Sequence, residues 1–200
     1  MIALIDNGHG RETPGKRSPD GRLREWLWTR ETADILIAML REKGIEARRI
    51  VPEERDVSIK GRCLRVNRVC AEAGKDNVLL VSLHLNAAGS GLDWREATGF
   101  TPWVAKSASD RSKRLARLLY GEAVRIGLRG NRWMPKDRYF TANFGILRGT
   151  LCPAVLTENL FMDNRDEAAF LTTAKGKETI AALHAEAIQA YVNETKGNRP

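Results

Sequence analysis

Cysteine is scarce, and the few thiols are wrongly placed for a disulfide framework. Cys63, Cys70 and Cys152 make an odd number, and no CxxC pair occurs. Cys63 and Cys70 stand seven apart in a helical pattern, about 10 Å of rise, which exceeds the reach of a disulfide. The thiols are therefore expected as buried apolar fillers. No apolar run approaches the ~18 residues of a membrane span. No low-complexity tract or solenoid repeat is present. No GxSxG occurs, which disfavours a serine hydrolase. Met1 runs straight into Ile2-Ala3-Leu4, so any leader is expected to have been removed, or export to follow another route. Gly10-Arg11-Glu12-Thr13-Pro14-Gly15-Lys16 has the glycine and lysine spacing of a phosphate loop but fails as one. Arg17 stands where Ser or Thr would touch magnesium, and Ser18-Pro19-Asp20-Gly21 breaks the helix such a loop must open.

What remains is an ordinary globular composition. The 200 residues suit one domain with a full core, at 42% hydrophobic and 29% charged. Lys and Arg number 33 against 25 Asp and Glu, a net charge of +8. That surplus favours acidic partners, whether nucleic acid, anionic membrane or an anionic wall polymer, without choosing among them. A solvated basic surface is the plain alternative. The basic stretch Lys106, Arg111, Lys113, Arg114 and Arg117 reads as such a face.

Apolar periodicity alternates between strand and helix. Strands are expected at 2–6, 46–51, 78–83, 99–104 and 153–157. Pro102 suggests that the fourth of these lies towards a sheet edge. Helices are expected at 24–43, stopped by Gly44, and at 58–73, stopped by Gly74. Further helices follow at 108–126, 164–171 and 175–192. Alternating units with short connections give one α/β domain over 1–193, a mostly parallel or mixed twisted sheet with helices on both faces. Residues 194–200 are expected as a frayed tail.

Three apolar runs close on metal-capable or acid-base side chains: Ile2 to Asp6 before His9, Val78 to Leu83 before His84, and Pro153 to Thr157 before Glu158. In an open α/β sheet, ligands bind outside the carboxyl ends of the strands, so the three runs point to one crevice. Imidazole suits zinc, and a catalytic zinc keeps three protein ligands with a position open for water. A nearby carboxylate can then take and return the proton. A third ligand between His9 and His84 has three contenders: Glu12, Glu25 and Glu31. His184, mid-helix in Leu183-His184-Ala185 and away from these segments, reads as surface or satisfied core.

Asp6-Asn7-Gly8-His9-Gly10, Ser82-Leu83-His84-Leu85-Asn86-Ala87 and Pro153-Ala154-Val155-Leu156-Thr157-Glu158 together resemble the zinc-dependent N-acetylmuramoyl-L-alanine amidases. The resemblance runs over roughly residues 2–192, with the boxes in order. It implies Zn2+ held by His9, Glu25 and His84, with Glu158 catalytic. It places the third ligand at the start of the first helix, which selects Glu25. The implied reaction is hydrolysis of the amide between the muramic acid lactyl group and L-alanine. Arg148 matches an Arg before the late box and is expected to pair with a stem-peptide carboxylate. Asn86 is expected to orient a partner of the site or to cap a turn.

The expected partner is peptidoglycan or its muropeptides, acted on by a monomer at the cell envelope or outside the cell, with no nucleic acid. The rivals are a zinc peptidase cutting within the stem peptide and a non-catalytic basic wall-binding module.

Overall fold

A computed structural model describes the backbone of residues 1–197 and the side chains of 1–195. The strands and helices alternate as β1 (Ile2–Asn7), α1 (Glu25–Glu42), β2 (Glu46–Arg49), α2 (Ile59–Ala73), β3 (Val78–Asn86), β4 (Phe100–Ala105), α3 (Asp110–Arg125), β5 (Phe140–Ala142), α4 (Gly145–Arg148), β6 (Ala154–Phe161), α5 (Arg165–Thr172) and α6 (Ala174–Gly197). Local chemistry sets several boundaries. Ser58 and Ser109 cap α2 and α3 by accepting from the N–H groups of Gly61 and Ser112. Asn164 caps α5 by accepting from Asp166 and Glu167. Gly44 and Gly74, both at positive φ, turn the chain out of α1 and α2.

The six strands lie in the order β2-β1-β3-β6-β4-β5. β2, β1, β3 and β6 are mutually parallel, whereas β4 runs antiparallel to β6 and β5 runs parallel to β4. The sheet is mixed. β4 lies towards one edge of the sheet, as Pro102 suggests, but is not itself the edge strand. The three-residue β5 covers it from Trp103 to Ala105 only, so Pro102 stays outside that ladder.

Side chains alternate across the sheet with period two. Ala3, Ile5, Leu79, Val81, Leu83 and Val155 join α1, α3, α5 and α6 in the larger core. Leu4, Val78, Leu80, Ala154 and Leu156 face the other way and join α2 and α4 in a smaller one. Cys63, Cys70 and Cys152 are free and buried within this second core, as fillers should be. The same alternation sends Asp6, Ser82, His84 and Glu158 to the α2 face, just beyond the point where its apolar core ends.

α6 continues through 194–197, where a frayed tail was expected, and Glu194 pairs with Arg114 of α3. Residues 198–200 lie outside those described.

Candidate metal centre

β3 and β6 do not stop at the polar residues that end their apolar runs. His84 pairs with Glu158 inside the sheet, and both strands continue to Asn86 and Phe161. The run of apolar letters ends there because one face opens into a cavity while backbone pairing goes on. Past Glu158 the register slips between His84 and Asn86, and Leu160 takes φ 69°. A bulge of this kind re-aims side chains beside a site.

His9 lies two residues beyond β1, at φ 61°, a left-handed conformation uncommon for a side-chain-bearing residue. Its neighbours explain how it is held. Gly8 leaves room for the His84 ring, since a Cβ there would lie 2.4 Å from His84 Cε1. Gly10 abuts the backbone of Asp56, which a Cβ would meet at 2.0 Å. The His9 carbonyl accepts from Arg30 at 3.1 Å and from Arg62 at 3.4 Å.

Arg62 is almost wholly buried and binds Asp6 at 2.6 Å, the Asn7 carbonyl at 2.7 Å and Asp56 at 3.0 Å. Asp6 in turn accepts from Ser82 at 2.5 Å. One guanidinium thus ties the end of β1, the segment before α2 and the His9 turn into one frame. Sequence reasoning passed over this residue. Its signal was Asp6, a carboxylate closing a buried strand, which needs a cation against it.

Glu25 opens α1 and is fully buried. Its Oε1 accepts from the Leu85 N–H at 2.9 Å, lies 3.1 Å from His84 Nδ1 and 3.5 Å from His9 Nε2. Its Oε2 is buried without a hydrogen-bond partner. The imidazoles of His9 and His84 meet edge to face, with ring centroids 4.9 Å apart. One donor atom from each of His9, Glu25 and His84 falls within 4.8 Å of the others. Two imidazole nitrogens and an unsatisfied carboxylate form a donor set that fits zinc.

Burial opposes the charge on Glu25, but the His84 hydrogen bond and the two imidazoles hold its carboxyl below the ordinary value. Burial likewise opposes a His84 cation, and Glu25 reverses that, raising the imidazole above its usual value. His9 is pushed down to about 4, chiefly by burial, and the charges of His84 and Lys16 lower it further.

These groups open onto a cavity of about 410 Å³ whose lining includes Lys16, Arg62, Ile59, Phe144, Leu156 and Glu158. Glu158 is held at about 7, mainly by burial, with the charge on Glu25 adding to the rise. Its Oε2 is also buried and unpartnered.

The sequence profile of the N-acetylmuramoyl-L-alanine amidases matches residues 3–190. The chain belongs to the N-acetylmuramoyl-L-alanine amidase family. It is 29% identical over 195 residues to the N-acetylmuramoyl-L-alanine amidase CwlM of Bacillus licheniformis, covering 96% of this chain and 69% of that protein. It is 35% identical over 119 residues to an endolysin of Bacillus phage SPP1. That match covers 59% of this chain and 41% of the endolysin, so the chain spans less than half the length of that relative. The crystal structure of an N-acetylmuramoyl-L-alanine amidase from Clostridium difficile 630 superposes with a TM-score of 0.80 at 26% identity, over 96% of both chains.

Other residues singled out in the amidase sequence fall elsewhere. Glu31 is exposed and pairs with Lys177, and Glu12 accepts from the Asp56 N–H, so neither joins the two histidines. Arg148 is exposed and lines a separate depression with Leu147, Thr150 and Leu151. Phe144, which precedes the four-residue α4, and Gly145 and Ile146 of that helix line the metal-centre cavity instead. Asn86 turns its Oδ1 to the Ala87 N–H, as a turn cap does, and leaves its Nδ2 buried without a partner. His184 is satisfied core, and the fold brings it to the late box: its Nε2 lies 3.0 Å from Thr157 Oγ1. The basic helix is less free than its composition suggests, since Arg111, Lys113, Arg114 and Arg117 pair with Asp76, Asp110, Glu194 and Asp137.

Proposed function

We propose that His9, Glu25 and His84 hold one zinc ion and that Glu158 carries the proton in hydrolysis of the amide joining N-acetylmuramic acid to L-alanine. The observation behind this reading is the convergence of those three donor groups beside an unpartnered Glu158, in a chain of this amidase family. When bound, zinc would supply Lewis acidity, polarising the scissile carbonyl and making water a better nucleophile at neutral pH.

The protein's own residues do the rest. Leu85 N–H and the frame around Arg62 orient Glu25 and His9 before any ligand arrives. Glu158, at about 7, can accept a proton from water at its free Oε2 and return it to the departing amine. Seating a cation among the three ligands favours the ionised form of Glu158 and moves its titration below that value. Leu156, Ile59 and Phe144 give the cavity an apolar wall that limits competing water around the reacting amide.

The substrate is peptidoglycan or its muropeptides, met at the cell envelope or outside the cell. No helix among the described residues is long and apolar enough to cross a membrane. Mass spectrometry of muropeptides digested with and without a chelator tests the reading. Release of stem peptides with a new L-alanine amino terminus, stopped by the chelator and restored by zinc, is the expected result. Fragments cut within the stem peptide would identify a peptidase instead.

A further inference from the structure

The failed phosphate loop, Gly10 to Lys16, has a consequence for substrate choice. Gly15, at φ 73°, turns the chain so that Lys16 lines the metal-centre cavity. The Lys16 carbonyl accepts from the Glu25 N–H at 3.0 Å, so its backbone is tied directly to that of a proposed ligand. Its ammonium is close enough to act electrostatically on both His9 and Glu158. Two flexible cations line the cavity, and they differ. Arg62 is committed to Asp6 and Asp56, whereas Lys16, half-buried, has no ion-pair or hydrogen-bond partner for its ammonium among the described residues.

We propose that Lys16 is a specificity-determining residue that binds a free carboxylate of the stem peptide close to the scissile amide. This deepens the amidase reading above and rests on it. A lone ammonium beside the reacting groups is a compact point charge and selects an anion over its neutral amide. The stem-peptide residue that follows L-alanine offers that choice, since its α-carboxyl can be free or carried as a carboxamide. The protein is therefore tuned to anionic, non-amidated stem peptides.

The test uses zinc-loaded protein and two muropeptides identical except for carboxylate or carboxamide at that position. Wild type should show the higher kcat/KM on the carboxylate. K16M should lower the carboxylate-to-carboxamide ratio about tenfold, the scale of a lost charge-assisted hydrogen bond, through KM. K16E should lower it further. The Glu25 N–H bond to the residue 16 carbonyl is available to any side chain, and thermal melting checks that both variants fold. A wild-type ratio near one, a ratio indifferent to K16M, or a kcat loss shared equally by both substrates overturns the proposal. Calorimetric binding of both muropeptides to E158Q separates the two readings. A carboxylate preference in Kd that needs Lys16, with no L-alanine terminus released by wild type, sinks the reaction and leaves the contact. Cleavage at that amide with indifference to K16M sinks the contact alone.

Discussion

On one face of β6, Thr157 and Asn159 belong to a set closed off from the cavity: Asn159 Nδ2 donates to Thr157 Oγ1, Thr157 Oγ1 meets His184 Nε2, and Asn159 Oδ1 is left buried without a partner. His184 Nδ1 donates to the Ile180 carbonyl at 2.8 Å. Burial holds that imidazole at about 4. On the opposite face, Glu158 and His84 are half-buried beside the cavity, and Glu158 Oε2 and the nearby Glu25 Oε2 have no partner. Both faces set a histidine against polar atoms. One uses its histidine in hydrogen bonds within the core and strands a single oxygen, Asn159 Oδ1, whereas the other gathers several metal-capable atoms beside one cavity. Burial of polarity alone therefore does not mark a site; unsatisfied convergence does.

The strongest way to break the comparison is to remove a histidine from the open face. His84→Ala should lose the zinc and reduce activity to background, read by metal content per chain and by turnover. Full zinc occupancy in that variant would refute the ligand set. Glu158→Gln keeps shape and reach but cannot take a proton. It should retain zinc and lose roughly 100-fold or more in turnover. If zinc leaves with it, Glu158 is a ligand and not the proton carrier.

Beneath the open face, Arg62→Met strands Asp6 in the interior. Breaking a buried pair in this way costs about 3–5 kcal/mol, measurable by denaturant unfolding. Asp6→Asn together with Arg62→Met should cost less than Arg62→Met alone, because no uncompensated charge then remains. An additive double mutant would show that the two do not interact.

The smallest effect belongs to the closed face. His184 binds its proton near 6.5 when unfolded and about 4 when folded, so the unfolded chain holds more protons between those values. Stability from this group is complete above about 6.5 and declines as pH falls towards 4. His184→Gln should lose part of that slope in denaturation midpoints compared at pH 7.5 and pH 5. An unchanged slope would mean that His184 is not held neutral by the core.

Much of this architecture was legible in advance. Helical periodicity places the first helix at 24–43, against Glu25–Glu42 observed, and the second at 58–73, against Ile59–Ala73. The glycine stops act within a few residues, so no distant contact is needed to see them. β5 was not legible, because three residues carry no period and the strand exists only through pairing with β4. The buried face of α2 was not legible either: Leu64 is 62% exposed while Arg62 is 2% exposed, because the buried cation answers Asp6 on another element.

The sequence by itself determined the alternation of strands and helices, and which side chains could bind a metal or carry a proton. Both follow from local periodicity and from the chemistry of each residue type. The tertiary structure alone decided which of those side chains meet. Glu25 joins His9 and His84 while Glu31 turns to Lys177, and Lys16 reaches the cavity while Arg148 lines another depression. That choice depends on strand register, on one bulge and on a buried guanidinium, each of which couples residues far apart in the chain.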